Sequence, residues 1–188
     1  MRMMTGDAIA MSPPAGAVEV EAGQAERLGA LFDAHHQRLY RLARRLSGSA
    51  EDARDLVQET FLRAARAPAS VPVGAPHEEA WLVRVLINVC RDRWRRAAVR
   101  SRLHADPTLG LPTPPSSDVE SALIARSMIQ HGLAQLSPRR RAIVVLYELE
   151  GTTIPAIARM LGVTPVTVRW HLSMGRRELS RALSGYRE

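Results

Sequence analysis

The side chains in this chain best suited to chemistry are hydroxyl, arginine and aromatic groups, and one group of them lies near the C-terminal end. A short helical segment, a turn at Gly162 and a longer helical segment have the order and spacing of a helix-turn-helix. The second helix carries hydroxyl, cationic and aromatic groups that can contact phosphates and base edges in a major groove. These candidates are Thr164, Thr167, Arg169, Trp170, Arg176 and Arg177. A helical bundle with a basic, solvated face is the alternative.

A second group combines an acidic and a basic helical segment within residues 50–102. The candidates of the acidic segment lie opposite the apolar stripe of their predicted helix; they are the acids Asp52, Asp55 and Glu59 and the amide Gln58. The basic candidates surround Trp94 in the next helix and include Arg91, Arg95 and Arg96. An aromatic ring among arginines is typical of proteins that stack and track single-stranded nucleic acid. Ordinary solvated faces, and a Trp94 that packs the helix end, are the alternatives.

Other kinds of chemistry have little support in the sequence. His35 and His36 have no evident third metal ligand, and Cys90 lies among apolar residues, which favours a buried inert thiol over a redox sensor. There is no nucleophile–base pair, no carboxylate pair at a plausible spacing and no glycine-rich phosphate loop. We therefore expect no catalytic residue, no metal and no cofactor, and the chain is not predicted to be an enzyme.

The composition limits the class of protein further. Its 26 basic residues, all arginine, exceed the 19 acidic residues and give a net charge of +7, which favours an anionic partner. A single cysteine excludes an internal disulfide. No apolar run approaches the roughly 20 residues that span a bilayer, and the N-terminus lacks the apolar region of a signal peptide. We expect a cytoplasmic protein that does not insert into a membrane.

The elements that must position these residues are all predicted to be helical, because apolar residues recur at three- and four-residue steps. The predicted helices cover about 25–46, 50–67, 78–102, 118–135, 138–149, 154–161 and 165–183. Ser49, Ser137, Thr153 and Thr164 are the predicted helix caps. The sequence thus predicts an all-α fold.

Two small helical domains are predicted at 25–102 and 118–188. Proline, glycine and serine are concentrated in 103–117, which predicts a flexible linker between the domains. Residues 1–24 have no apolar periodicity and are predicted to be a disordered arm.

Three strings of residues resemble a known family. They are DARDLVQETFLRAAR at 52–66, AWLVRVLINVCRDRWRR at 80–96 and LSPRRRAIVVLYELEGTTIPAIARMLGVTPVTVRWHL at 136–172. In this order they are similar to a bacterial RNA polymerase sigma factor of the sigma-70 family, in its small extracytoplasmic-function subfamily. The resemblance covers roughly 26–102 and 118–183, which is most of the chain.

The resemblance implies a use for each surface. In the first domain, sigma region 2, the acidic candidates would dock on the β′ clamp helices of core polymerase. The loop at 67–79 and the basic helix would bind and melt the −10 promoter element, through Asn88, Arg91, Trp94, Arg95 and Arg96. In the second domain, sigma region 4, the helix-turn-helix would contact the −35 element and the β flap. An anti-sigma factor that covers these faces is a further expected partner.

The predicted function is therefore that of an alternative sigma factor, which binds core polymerase, recognises −35 DNA and melts −10 DNA. The alternative is a free-standing helix-turn-helix regulator that acts without core polymerase. Such a regulator would carry a strand–helix receiver within 1–100, where the sequence instead has helical periodicity. Trp170, His171 and Ser173 depart from the side chains usual in the family's recognition helix. Gly175 also lies within a predicted helix, at a cost of about 1 kcal/mol against alanine.

Overall fold

The computed structural model describes the backbone of residues 15–103 and 118–184, and the side chains of 23–96, 125 and 127–184. Every regular element in this part of the chain is helical. The helices are α1 (Ala15–Ser47), α2 (Ala50–Arg66), α3 (Ala75–Leu103), α4 (Asp118–Gln135), α5 (Pro138–Val144), α6 (Ile154–Leu161) and α7 (Pro165–Ser184). A 3-10 turn at Pro68–Ser70 follows α2, and a π-helical turn at Val145–Leu149 continues α5. The predicted all-α fold is confirmed.

Helices α1, α2 and α3 pack on one another because each carries an apolar stripe at helical spacing. The most deeply buried leucines of these stripes are Leu39, Leu42, Leu46, Leu56, Leu82 and Leu86. Ser49 caps α2, because its hydroxyl accepts the backbone N–H of Asp52 at 3.0 Å. This cap, predicted from the sequence, fixes where α2 begins and therefore which residues its outer face presents.

The last four helices form a second unit around α7, which contacts α4, α5 and α6. Gly162 ends α6 in the left-handed conformation, at φ 63°, which a residue without a Cβ adopts without strain. Thr164 then caps α7 by accepting the backbone N–H of Thr167 at 3.2 Å. Ile157 and Val168 are fully buried between α6 and α7. The predicted helix-turn-helix is therefore present.

Two glycines lie where α7 packs against its neighbours. A Cβ added at Gly175 would lie 2.6 Å from Val144 Cγ2 of α5. A Cβ added at Gly132 of α4 would lie 2.7 Å from Leu179 Cδ1 of α7. Nonbonded carbon atoms pack best at about 3.5–4.0 Å, so a Cβ at either position would force its neighbour to move. The end of the flexible Leu179 side chain can do so more easily than the branched Val144. The unfavourable propensity of Gly175 is thus offset by the close packing of α5 on α7.

The structure corrects one predicted boundary and refines others. Helix α1 begins at Ala15, so the predicted disorder of residues 15–24 is wrong; this segment contains alanine and glutamate, which favour helix. The remainder of the predicted arm, 1–14, and residues 104–117 of the predicted linker lie outside the described residues. The helix predicted at 138–149 changes to a π-helical turn after Val144.

Two predicted caps also differ from the structure. Ser137 and Thr153 make no capping hydrogen bond with their side chains. Each precedes a proline in the first helical turn, where the fixed φ of proline and its missing N–H already suit a helix start. Those two helices therefore begin without a side-chain cap.

Candidate functional site

The first candidate surface is the N-terminal half of α7, which we call the recognition surface (Thr164, Thr167, Arg169 and Trp170). Val168 and Leu172 are buried and hold this helix against the rest of the second unit. Arg169 is exposed and the Trp170 ring is 52% exposed, so both side chains can reach a partner. The Thr164 and Thr167 hydroxyls lie 2.9 Å apart, with the latter half-buried. The structure therefore brings these four predicted residues together at one helix end.

The basic residues of the later turns of α7 have different surroundings. The Nε of Arg176 donates to Glu148 Oε1 at 2.6 Å, and its guanidinium lies 5.5 Å from the Tyr147 ring centroid. The hydrogen bond and the charge of Glu148 raise the pKa of Arg176 above its usual range, so the guanidinium stays protonated and its charge is paired with that of Glu148. Arg177 is exposed. The sequence did not indicate this difference between neighbouring arginines.

His171 of α7, which departs from the family pattern, has a partly buried side chain. Burial, together with the positive charges of Arg139 and Arg140, lowers the pKa of His171 below its usual range. The imidazole is therefore neutral at pH 7 and adds no charge to the recognition surface. Arg140 lies 5.4 Å from the Trp170 ring centroid and forms an ion pair with Glu178. These contacts hold one side of the Trp170 ring against the second unit.

The second candidate surface is a groove between α2 and α3, which we call the α2–α3 groove. The residues that line it include the predicted Asp55, Gln58 and Glu59, together with Leu62, Arg63, Asp92, Arg93 and Arg96. Its volume is about 570 Å³, and the apolar Leu62 is 41% exposed within it. Asp52, the fourth predicted residue, lies at its edge, where it forms an ion pair with Arg93. The groove thus combines charge with an exposed apolar residue.

The acids of this groove are paired rather than free. Arg93 binds both Asp52 and Asp55, the latter at 3.2 Å. Arg63 donates to Glu59 at 3.0 Å and lies 3.9 Å from Asp92. Because these pairs are more than a third exposed, each is worth little in water and can exchange for a partner's charges.

The third candidate surface is the basic half of α3, and the structure divides it. Arg95 and Arg96 are exposed, as predicted for residues that contact DNA. Asn88 and Arg91 are half-buried, and they line a small cavity of about 60 Å³ together with Pro138 of α5. The five predicted residues of this helix therefore do not form one open face.

Trp94 is half-buried and packs against the core, as the alternative for this residue supposed. One face of its ring is covered by Arg141 of α5, whose guanidinium carbon lies 4.2 Å from the ring centroid. Arg141 is only 8% exposed and donates to the backbone carbonyl of Leu46 at 2.9 Å. Burial lowers the pKa of Arg141 below its usual range. Sequence reasoning missed this contact, because nothing near residue 94 indicates a partner 47 positions away.

The loop before α3 is held at its base and open at its tip. The guanidinium of Arg27 donates to the carbonyls of Val71 and Pro72, at 2.9 and 3.2 Å. Val71 is buried, whereas Val73 is 81% exposed. Gly74 then turns the chain at φ 101° before α3 begins. The loop therefore presents an apolar side chain at the N-terminal end of α3.

Cys90 is buried in α3, and we predict that its thiol is inert in the folded protein. Burial among apolar side chains raises the pKa of Cys90 to about 12. At pH 8 roughly one thiol in ten thousand would then be ionised, and the thiolate is the reactive form. A thiol-specific reagent should label the protein at pH 8 only after urea is added. Rapid labelling of the folded protein would contradict this assignment.

Neither metal chemistry nor a membrane span is indicated in the residues that the structure describes. His35 is buried beside Glu78, at 3.6 Å, and so belongs to the packing of α1 on α3. Within the described ranges, no three His, Cys, Asp or Glu side chains are grouped to bind a metal ion. No helix between 15 and 184, outside the gap at 104–117, has the length and hydropathy needed to cross a bilayer.

Comparisons with known proteins find a family match for each of the two helical units. The family model for Sigma-70 region 2 matches residues 31–100, and that for Sigma-70, region 4 matches residues 126–179. The ECF RNA polymerase sigma factor SigM of Mycobacterium tuberculosis is 37% identical, over 88% of this chain and 81% of its own length. SigL of the same species is 35% identical, over 86% of this chain and 92% of its own length.

Two solved structures are similar in fold. CnrH, determined in complex with the cytosolic domain of CnrY, is 27% identical with a TM-score of 0.58, and the match covers 90% of this chain and 95% of that one. The sigma factor RpoE of Bartonella quintana, in complex with the anti-sigma factor NepR, is 21% identical with a TM-score of 0.55. That match covers 88% of this chain and 97% of the other, and it shows the fold alone.

Proposed function

This chain belongs to the extracytoplasmic-function sigma factors of the sigma-70 family, and from that premise we propose which of its surfaces meet core polymerase and promoter DNA. Sigma factors are DNA-recognition subunits of RNA polymerase and are not enzymes. The chain is thus an alternative sigma factor that directs promoter-specific initiation of transcription. The observation that carries this conclusion is the match to region 2 and region 4, in order, along one chain. A free-standing regulator would have no reason to carry region 2.

We propose that the α2–α3 groove docks on the β′ clamp helices of core polymerase. Asp55, Gln58 and Glu59 line the groove and are at least partly exposed, with Asp52 at its edge. The exposed Leu62 among them supplies apolar area, while the charges set orientation and association rate. On docking, the ion pairs made by Arg63 and Arg93 would exchange for pairs with basic residues of the core.

We further propose that the loop at 67–79 and the basic half of α3 bind the −10 element as a single strand. The exposure of Arg95 and Arg96 supports a role in neutralising phosphates, although Arg96 also lines the α2–α3 groove. Trp94 would stack a base on the face of its ring that Arg141 does not cover. Asn88 and Arg91 are half-buried beside α5, and they would contribute to binding once α5 moves away from α3. Capture of an unstacked base offsets the few kcal/mol that unpairing costs, so melting requires no ATP.

The recognition surface is proposed to read the −35 element. Thr164, Thr167, Arg169 and Trp170 lie at the N-terminal end of α7, which is the part of a recognition helix that meets base edges. Arg176 and Arg177, two turns later, are exposed, which supports a role in phosphate contacts. The same unit is proposed to meet the β flap.

The domain limits and the remaining partners are also proposals. We assign residues 25–102 to region 2 and 118–188 to region 4, which agrees with the matches at 31–100 and 126–179. An anti-sigma factor is a proposed partner, since the similar CnrH was solved in complex with the cytosolic domain of CnrY. A cytoplasmic location follows from partners that are core polymerase and chromosomal DNA.

The test of this function is run-off transcription with purified core polymerase on fragmented genomic DNA, with mapping of RNA 5′ ends. We expect the chain to make core start at a few sites that share spaced −35 and −10 motifs. If core stays inactive while the protein alone protects specific duplex DNA, the sigma function is wrong and a free-standing regulator replaces it. Core incubated without the chain is the control.

A substitution at Arg169 tests the −35 assignment. Arg169→Ala should reduce affinity of the holoenzyme for its promoter by about 1–3 kcal/mol and relax specificity at one base pair, if this side chain reads a base. Arg177→Ala, which removes a phosphate contact, should weaken all promoter sequences equally. The measurement is holoenzyme binding to a set of single-base promoter variants. A uniform loss for Arg169→Ala would make it a phosphate contact instead.

A further inference from the structure

The loop proposed to contact the −10 strand is held near its centre by an arginine of the first helix. Arg27 of α1 donates to the backbone carbonyl of Val71 at 2.9 Å and to that of Pro72 at 3.2 Å. These carbonyls lie 44 and 45 positions further along the chain. The contact therefore joins α1 to a loop that the chain itself attaches only to α2 and α3.

The hydrogen bonds on either side of this contact are local. In the 3-10 turn, the N–H groups of Ser70 and Val71 each donate to a carbonyl three residues earlier. At the other end of the loop, the Gly74 carbonyl accepts the N–H of Glu78 at 3.0 Å, and Glu78 Oε1 accepts the N–H of Gly74 at 3.3 Å. These local bonds fix the two ends of the loop, whereas the direction of the Pro72 carbonyl between them depends on α1.

Apolar packing beneath the centre of the loop is incomplete. Val71 is buried, but it borders a pocket of about 230 Å³ that Leu28 of α1 and Ala64 of α2 also line. The stem of Arg27 lines the same pocket. Side chains beside open space lack some of the close contacts that stabilise a packed core. The two hydrogen bonds of Arg27 are therefore a large part of what holds the loop in place.

The same contact sets the direction of a backbone donor. In a planar trans peptide the C=O and N–H groups point in opposite directions, and the described residues contain no cis peptide bond. Because the Pro72 carbonyl faces Arg27, the N–H of Val73 faces away from α1. Val73 is also 81% exposed. One residue of the loop thus presents both a backbone donor and an apolar side chain to a partner.

We propose that Arg27 is a positioning residue for the −10 strand, which holds the loop so that the N–H and side chain of Val73 meet an unpaired base. This inference rests on the proposed function of the loop at 67–79. An unpaired base is read by hydrogen bonds to its edge and by apolar contact, and both need groups at fixed places. A loop already ordered also avoids the entropic cost of ordering when the strand binds. Arg27 therefore affects both affinity and the discrimination between bases.

The alternative is that Arg27 contacts a phosphate directly. Its hydrogen bonds to the loop use one guanidinium nitrogen, and the group carries five N–H donors in all. A phosphate contact adds affinity for every sequence equally, and its loss lowers the slope of log affinity against log salt by about 0.7 for a single strand. Loss of a positioning residue instead lowers discrimination between bases and leaves that slope unchanged.

The first experiment measures order of the loop in the full chain without core or DNA. A nitroxide is attached to Val73→Cys, while the buried Cys90 stays unlabelled. Arg27→Met keeps an unbranched stem but removes every donor, and it should increase the mobility of the label in the electron paramagnetic resonance spectrum. Arg27→Lys, whose ammonium can donate to both carbonyls, should restore the order. The control is Arg41→Met, at an exposed position about 21 Å further along α1, and equal mobility in the two methionine variants would overturn the proposal.

The second experiment measures binding of the holoenzyme to a promoter fragment found by run-off transcription, with the non-template strand of its −10 element left unpaired. Arg27→Met should bind about tenfold less tightly than Arg41→Met, the lower limit for losing a hydrogen bond to a charged group. The loss should be smaller for probes with single-base changes in the unpaired segment, and the salt dependence of the two variants should be equal. Arg27→Lys should recover the discrimination. An equal loss for every probe, with a weaker salt dependence, would make Arg27 a phosphate contact and overturn the positioning role.

Failure of the positioning role can be told apart from failure of the proposed function. If wild-type chain and core yield no promoter in run-off transcription, the proposed function is wrong and the role of Arg27 in strand recognition is wrong with it. If wild-type transcription is normal but Arg27→Met leaves base discrimination unchanged, the positioning role alone is overturned.

Discussion

Glu59→Arg is expected to lower the affinity of this sigma factor for core RNA polymerase by about 2–3 kcal/mol, roughly 30- to 150-fold. Glu59 lines the α2–α3 groove, and its carboxylate accepts a hydrogen bond from Arg63 at 3.0 Å. The substitution removes one negative charge and adds a positive one beside Arg63 and Arg96. A basic surface on the core then meets repulsion where it had attraction. The measurement is fluorescence anisotropy of labelled sigma factor titrated with core polymerase.

The fold should survive this substitution, because an exposed ion pair one helical turn apart contributes only about 0.3–0.5 kcal/mol. Glu51→Arg is the matched control: it makes the same charge change on α2, is exposed, and lies outside the groove. It removes only an acid from the first helical turn, which costs about 0.3–1 kcal/mol of helix stability. Equal losses of affinity in the two variants would show that the effect comes from net charge alone. Unchanged binding by Glu59→Arg would contradict the docking assignment.

Features set by residues close in sequence were predictable. The helix cap at Ser49 and the cap at Thr164 depend on side chains three residues from the N–H groups they bind. The turn at Gly162 depends on one residue type at one position. The stripes that bury Leu56 and Leu82 are visible as helical periodicity. Most of the recognition surface followed from these local rules, since the cap and the buried Val168 decide which side chains face outward.

Features set by distant pairs were not predictable in the same way. The sequence suggested an acidic face and a basic face in region 2; Asp55, Gln58 and Glu59 line one groove, whereas the basic candidates do not form one open face. Arg93, however, lies 41 positions from Asp52 and neutralises it, and Arg141 lies 95 positions from the Leu46 carbonyl that it binds. No spacing rule links residues on different helices until the packing of those helices is known. The half-burial of Asn88 has the same origin, because it depends on how α5 lies against α3.

Gly175 shows how tertiary packing overrides helix propensity, and it supports the prediction with the largest expected effect on stability. Judged from the sequence it is an unfavourable residue inside α7. In the structure it is buried, and a Cβ there would lie 2.6 Å from Val144 Cγ2 and 3.9 Å from Arg140 Cβ. The absence of a side chain is what lets α7 pack on α5. Helix propensity and packing therefore make opposite predictions for substitution at this position.

Gly175→Leu should lower the free energy of unfolding by about 3 kcal/mol, because the substitution inserts four carbon atoms into an occupied space. The gain in helix propensity of about 0.8 kcal/mol does not compensate. Gly29→Leu is the matched control, since Gly29 is an exposed position within α1 with nothing near its missing Cβ. It should gain several tenths of a kcal/mol. Urea unfolding followed by far-UV circular dichroism measures both, and hydrogen exchange should place the loss in α5 and α7. If the two variants shift stability in the same direction, helix propensity alone governs Gly175 and the close contact between α5 and α7 is not present in solution.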